Sequence, residues 1–300
     1  MEAVQATRVH WFRSACYRFA GVVPTPVVRF VSRTGARFPW LKRRLNWYRD
    51  TLRTRDGVIK HGVAKGLWFN TGSSNVGFFL GTSDPELQQI LQMLVRPGSV
   101  VYDVGANVGF LTVVAARLTG PSGRVCAFEP FPANLKCLEH NIQLNAFDHV
   151  MAREVALADH DGTSAFLMSS NSTFGSLAGA SAKVENQVGK TEVTVCRLDS
   201  VVKKDSLQLP NLMKIDVEGA EASVLDGAVE TIRKARPILL IELHGTNAVI
   251  SEKLSALGYF TAVVGGARSI LEAHWNAQVV AFPAPCPEME RIQRGELAMS

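Results

Sequence analysis

The sequence predicts an α/β protein, a doubly wound and mostly parallel sheet preceded by a basic N-terminal extension. Three observations carry that prediction. From Ser99 onward, short β-branched apolar runs alternate with helix-length runs, the pattern of repeated βαβ units. A glycine turn, Gly105 and Gly109 in a G-x-x-x-G spacing, joins the first of these strands to its helix. Acids then recur at the ends of successive strands: Asp103, Glu129, Asp216 and Glu242. A parallel sheet gathers its binding groups in that place, beyond the carboxyl ends of its strands.

The chain has 300 residues, 47% hydrophobic and 20% charged. That composition is globular rather than disordered. No run of about 18 apolar residues is free of charge, so no membrane-spanning helix is expected. Arg13 and Arg18, then Pro24 and Pro26, interrupt the apolar N-terminal stretch, which therefore does not read as a signal peptide. The 5 cysteines form no C-x-x-C pair. They read as free thiols of a reducing cytoplasm and not as a zinc site.

The charge is uneven. Residues 1–60 hold 13 Lys and Arg against 3 Asp and Glu, whereas the remainder holds 19 against 24. A basic segment on a mildly acidic body does not read as a nucleic-acid enzyme with a basic cleft throughout; a small-molecule or glycan substrate is expected instead from the motifs below.

Residues 1–56 form the extension, rich in arginine and aromatics. Phe12, Ala15, Cys16 and Phe19 have helical spacing before Pro24. The segment reads as packing on the domain. Contact of residues 1–50 with the anionic inner membrane surface, and docking to a partner, are the alternatives. The domain proper spans residues 57–300, with a cofactor half at about 80–160 and a substrate-side half at about 160–285.

Within it, residues 57–80 read as a glycine-punctuated β-hairpin. A helix starts at Ser83, where Ser83 and Glu86 make a capping box, and ends at Pro97-Gly98. "SVVYDV", "RVCAFEP" and "MAREVALAD" read as three strands separated by two helices, "VGFLTVVAARLTG" and "PANLKCLEHNIQLN". "TSAFLM" and "TEVTVCRLD" are strands around a Ser/Asn/Gly-rich loop. "NLMKIDV" and "PILLIELH" are strands flanking one helix, "AEASVLDGAVETIRKA". A helix from Ala248 to Leu257 and the strands "YFTAVV" and "QVVAFP" complete the order.

"VYDVGANVGFLT" follows a buried strand and opens a helix, whose free N–H groups and positive dipole end suit a ligand. Its spacing is not the G-x-G-x-x-G of a dinucleotide site. Asp103 in that turn suits a cationic ligand better than a pyrophosphate. Glu129 ends the second strand, where a carboxylate can accept hydrogen bonds from both hydroxyls of a ribose. Phe131 is placed to pack on the base. In "MKIDVEGAEASVL", Asp216 ends a later strand on the same rim, and Glu218 and Glu221 follow. Helix capping accounts for part of this cluster, Glu221 first. Glu242 and His244 in "IELH" bring another acid and a base to that edge; His244 either faces the site or is structural.

Taken together, "DVGANVGFLT", "FEPFPANLKCLEHNI", "KIDVEGAE" and "IELH" resemble the FkbM family of S-adenosylmethionine-dependent methyltransferases, over roughly residues 80–245. The resemblance implies the Rossmann-like class I methyltransferase fold, seven strands with an antiparallel last strand. It implies S-adenosylmethionine as cofactor, with Asp103, Gly105, Asn107, Gly109 and Glu129 lining its site, and Asp216 and Glu218 facing substrate or cofactor. The implied activity is O-methylation of a hydroxyl on a sugar, glycolipid, polysaccharide or natural product. One departure is "GTSDPEL", where the family often has an aromatic-Glu pair and this chain offers the shorter Asp84.

For a hydroxyl acceptor, Asp216 or His244 is expected to take the proton, with Glu218 orienting the substrate. No metal is assigned; magnesium held by Asp216, Glu218 and Glu242 is the alternative. Three other functions compete. A nucleic-acid N-methyltransferase calls for an Asn/Asp-Pro-Pro-aromatic motif where "DVEG" stands. An oxidoreductase calls for tighter glycine spacing. A non-catalytic cofactor-binding scaffold could have lost its substrate-side acids, which are present here.

Overall fold

The computed structural model describes residues 55–169, 175–181 and 187–284. The helix and membrane contact expected within residues 1–50 lie outside the described residues, as does the centre of the Ser/Asn-rich loop. The chain divides into two compact units, residues 1–85 and 86–300.

In the first unit, β1 (Asp56–Val58) and β2 (Trp68–Asn70) pair antiparallel as the expected hairpin. The hairpin ends there. Val76–Leu80 is a short helix, α1, because the Asn75 side chain caps it by accepting the Gly77 N–H, and Gly81 at φ 72° closes it.

The second unit is the α/β body. Helix α2 (Pro85–Leu94) begins two residues later than the capping box suggested and buries Leu87, Ile90 and Leu91. The chain then runs through β3 (Val100–Val104), α3 (Phe110–Thr119), β4 (Arg124–Phe128), α4 (Pro132–Leu144) and β5 (Val150–Arg153). The expected third strand "MAREVALAD" splits in two. After β5 the chain leaves the main sheet, and β6 (Ala156–Leu157) joins a second sheet with β7 (Gly162–Ser169), β8 (Gly175–Leu177) and β9 (Gln187–Cys196), in the order β6-β9-β7-β8.

Helix α5 (Leu198–Asp205) was not expected, since its first residues read as the end of a strand. Its N-terminus is capped from afar: Asp161 accepts the Arg197 N–H at 2.8 Å and the Ser200 hydroxyl at 2.7 Å. β10 (Leu212–Ile215) returns to the main sheet. The single helix expected next is two, α6 (Glu221–Gly227) and α7 (Val229–Ala235). The break falls where Gly227 lies against another loop; a Cβ there would come 1.8 Å from the Ala158 carbonyl oxygen. β11 (Ile238–Glu242), α8 (Asn247–Ala256), β12 (Tyr259–Val263) and β13 (Gln278–Pro283) follow.

The main sheet has seven strands in the order β12-β13-β11-β10-β3-β4-β5. β13 pairs antiparallel with both neighbours, and the other pairs are parallel. This is a doubly wound, Rossmann-like sheet of seven strands whose last strand is antiparallel, as the resemblance implied. Chain order reverses between β3 and β10, which makes that boundary the switch point. Register brings the rim residues level. Val104 lies opposite both Phe128 and Ile215, so Gly105, Glu129 and Asp216 leave the sheet side by side. One face of the sheet, with Tyr102, Val104, Met213, Ile215 and Ile241, packs on Val224, Leu225 and Ile232 from the helices. Each fully buried aliphatic side chain there contributes about 1.5–3 kcal/mol, which makes the sheet a rigid base for the loops at its carboxyl edge.

Candidate active site

The loop after β3 is shaped by backbone that few residues adopt. Gly105 has φ 76°, Asn107 φ 53° and Gly109 φ 88°. Protein approaches both glycines closely. A Cβ on Gly105 would meet the Asp216 carbonyl oxygen at 1.8 Å, and one on Gly109 would meet Leu138 Cδ1 at 2.4 Å. Gly105 therefore lets the loops after β3 and β10 touch, and Gly109 lets α3 start close to α4.

Glu129, buried at the tip of β4, ties this loop to the next. Its Oε2 accepts the Asn107 N–H at 2.8 Å, and its Oε1 accepts the Phe131 N–H at 2.9 Å and the Asn134 amide at 3.4 Å. Burial lifts its pKa to about 7, against the lowering effect of the Phe131, Asn107 and Asn134 hydrogen bonds. Phe131 stacks on Phe166 of the second sheet, with ring centroids 6.1 Å apart and planes 15° off parallel.

Asp103 is 2% exposed. Its Oδ2 accepts the Thr112 hydroxyl at 2.6 Å. Its Oδ1 lies 3.2 Å from the Lys214 ammonium. The cation beside Asp103 in this structure is thus Lys214, a residue that the sequence reading did not single out. Lys214 donates to the Gly105 carbonyl at 2.8 Å and lies 3.4 Å from Asp216 Oδ2. Burial works against its charge, but Asp103 and Asp216 outweigh that and hold it protonated above its ordinary pKa. One buried ammonium so joins both rim loops.

Beyond β10, Asp216, Glu218 and Glu221 surround His244. Glu218 has φ 53°, uncommon for a residue with a Cβ, and its carbonyl accepts the Ser176 hydroxyl at 2.7 Å. Glu221 is not merely a helix-dipole acid, as the sequence suggested. It is wholly buried and accepts from Gly219 N–H at 2.9 Å, His244 Nδ1 at 2.8 Å and the Thr246 hydroxyl at 3.1 Å. His244 Nε2 then points at Glu218 Oε2 (3.4 Å), Glu242 Oε1 (3.8 Å) and Asp216 Oδ1 (3.9 Å). Burial opposes charge on His244, but the Glu221 hydrogen bond and the Glu218 and Asp216 carboxylates together raise its pKa. Burial also lifts Glu218 to about 7, opposed by His244 and helped by Asp216.

Trp275 was missed by the sequence reading. It is 56% exposed and stands edge-on to His244, with centroids 6.4 Å apart. The backbone bond from Gly245 N–H to the Trp275 carbonyl, 2.8 Å, holds it there. Nothing in the local sequence marks it, because 31 residues separate it from His244.

The donor set fits the nucleoside end of S-adenosylmethionine. A carboxylate has about four acceptor positions. The two backbone amides and the long Asn134 bond leave Glu129 Oε2 one position for a ribose hydroxyl, and the Asn134 bond is weak enough for a second hydroxyl to replace it. Asp103 does not present an exposed carboxylate to the cofactor's ammonium. A pH dependence follows. The raised pKa of Glu129, about 7, means that the cofactor-free protein holds this proton at lower pH, and a ribose diol needs the ionised acceptor. Affinity for S-adenosylmethionine is expected to fall roughly tenfold from about pH 8 to about pH 6, and to level off above. Calorimetry at the two pH values checks this; equal affinities would refute it.

The FkbM methyltransferase domain model matches residues 103–260, from the glycine turn to β12. Among the relatives, the 2-O-methyltransferase NoeI of Sinorhizobium fredii is 29% identical over 162 residues, half of this chain and 65% of NoeI. The 31-O-demethyl-FK506 methyltransferase FkbM of Streptomyces tacrolimicus is 27% identical over 192 residues, 54% of this chain and 72% of that protein. The hexuronic acid methyltransferase AglP of Haloferax volcanii is 27% identical over 160 residues, 52% of this chain and 62% of AglP. The match covers more than half of the chain and spans both rim loops described above. The chain belongs to the FkbM methyltransferase family, and its cofactor is S-adenosylmethionine.

Proposed function

We propose that the protein is an O-methyltransferase acting on a hydroxyl of a sugar or a similar polyol. One observation carries this reading: the partly exposed carboxylates of Asp216 and Glu218, and the exposed ring of Trp275, all adjoin His244 at the rim that also holds Glu129. The bound cofactor supplies a methyl group on a sulfonium. The rest falls to the chain. Asp216 and Glu218 accept hydrogen bonds from acceptor hydroxyls and fix the attacking oxygen about 3 Å from the methyl carbon, in line with the bond that breaks. Asp216 takes the proton as the oxygen–carbon bond forms. Its side chain is 30% exposed, whereas that of His244 is 5% exposed. The negative face of the Trp275 ring suits the C–H face of a pyranose. The name of NoeI, a 2-O-methyltransferase, supports transfer to oxygen, and that of AglP, a hexuronic acid methyltransferase, supports an acceptor of the sugar class.

The test is a screen of glycans, glycolipids and macrolides with labelled methyl donor. Label is expected in a hydroxyl-bearing carbohydrate. Trp275→Ala is expected to raise KM for that acceptor by up to about tenfold, with kcat little changed. Label found only on nitrogen acceptors would overturn the reading.

A further inference from the structure

His244 is aimed at acceptors alone. Its Nδ1 meets a carboxylate oxygen of Glu221 and so carries a proton, which leaves Nε2 to hold either a second proton or a metal ion. Nε2 faces Glu218 Oε2 at 3.4 Å and Asp216 Oδ1 at 3.9 Å and makes no hydrogen bond among the described residues. The imidazole is 5% exposed, so water does not relieve it from all sides. The carboxylates favour a positive charge at Nε2, which a second ring proton or a metal ion supplies. Lys214 cannot serve, because it meets the other oxygen of Asp216.

The spacing suits a shared ion. One atom each from Asp216, Glu218 and His244 lie within 4.8 Å of one another. Ligands at about 2.1 Å from a common ion sit roughly 3 Å apart when adjacent and roughly 4.2 Å apart when opposite, and the separations of 3.4 and 3.9 Å fall between. A carboxylate that orients a histidine through its far nitrogen, as Glu221 does, is the usual support of a metal-binding imidazole.

We propose that Asp216, Glu218 and His244 bind a divalent cation of the Mn²⁺ or Mg²⁺ class. Two carboxylates and one imidazole match a hard ion that tolerates nitrogen, and an octahedral ion keeps three positions open. The role in catalysis rests on the O-methyltransferase reading. There the ion holds the acceptor oxygen and favours its ionised form, and an acceptor with two neighbouring hydroxyls fills two open positions.

The test titrates Mn²⁺ into the full chain after chelator treatment, followed by electron paramagnetic resonance, with S-adenosylmethionine binding measured on the same sample. One Mn²⁺ per chain is expected, with nitrogen hyperfine coupling from His244. Glu218→Gln, on a partly exposed side chain that pairs with His244, is expected to weaken Mn²⁺ at least about tenfold without unfolding the protein, and Glu221→Gln to weaken it about 10–100-fold. A folded protein that binds S-adenosylmethionine but not millimolar Mn²⁺ overturns the metal site and leaves the methyltransferase reading intact, with a proton on Nε2 instead. Mn²⁺ binding that Glu218→Gln leaves unchanged also overturns it. Mn²⁺ binding as expected, in a protein without S-adenosylmethionine binding, supports the site and counts against its role in methyl transfer.

Discussion

Lys214→Met is expected to destabilise the fold by about 3–5 kcal/mol, the cost of removing one partner from a buried ion pair. The lysine is 5% exposed and Asp103 is 2% exposed. Without the ammonium, Asp103 keeps only the Thr112 hydroxyl, and the Gly105 carbonyl loses its donor. The methionine fills similar space, so the loss is electrostatic rather than a cavity. A second change, Asp103→Asn in the Lys214→Met background, removes the stranded charge and is expected to recover a large part of the loss. Urea denaturation of the two single variants and the double variant closes the cycle. A loss under about 1 kcal/mol for Lys214→Met would mean that the ion pair contributes little beyond what a hydrophobic replacement supplies.

Asp216→Asn is expected to lower kcat by about 10²–10⁴-fold, the usual contribution of a positioned proton acceptor. The amide keeps the shape but cannot take a proton from a hydroxyl. Asp216 Oδ1 faces His244 and Oδ2 faces Lys214, so the change also removes charge that both of those groups meet. Cofactor affinity is expected to change far less, because the hydrogen-bond partners of Glu129 among the described residues are Asn107, Phe131 and Asn134. Single-turnover kinetics with saturating acceptor separates the two effects. Full turnover in the variant would remove Asp216 from the chemistry.

Much of the architecture was legible because it is local. The glycine turn, the strand tips and the acids that follow them have fixed offsets along the chain, and parallel pairing turns those offsets into one rim. Glu129 and Asp216 are read correctly onto that rim for this reason: each directly follows a strand whose last residue is in register with Val104. What was not legible is made by contacts distant in sequence. The cap on α5 comes from Asp161, 36 residues upstream. Glu221 looked like a first-turn acid until His244, 23 residues on, was found bonded to it. Lys214 sits in an apolar strand, where alternation gives no sign that its ammonium ends between two carboxylates. "MAREVALAD" has the composition of one strand, and only the branching of the chain into a second sheet divides it.

The decisive measurement is a crystal structure of the chain with S-adenosylhomocysteine, the demethylated cofactor. The ribose hydroxyls should lie about 2.6–3.2 Å from the Glu129 carboxylate, with the thioether sulfur opening toward Asp216 and Glu218. A nucleoside bound away from the tip of β4, or a sulfur turned from the acid cluster, would contradict the account.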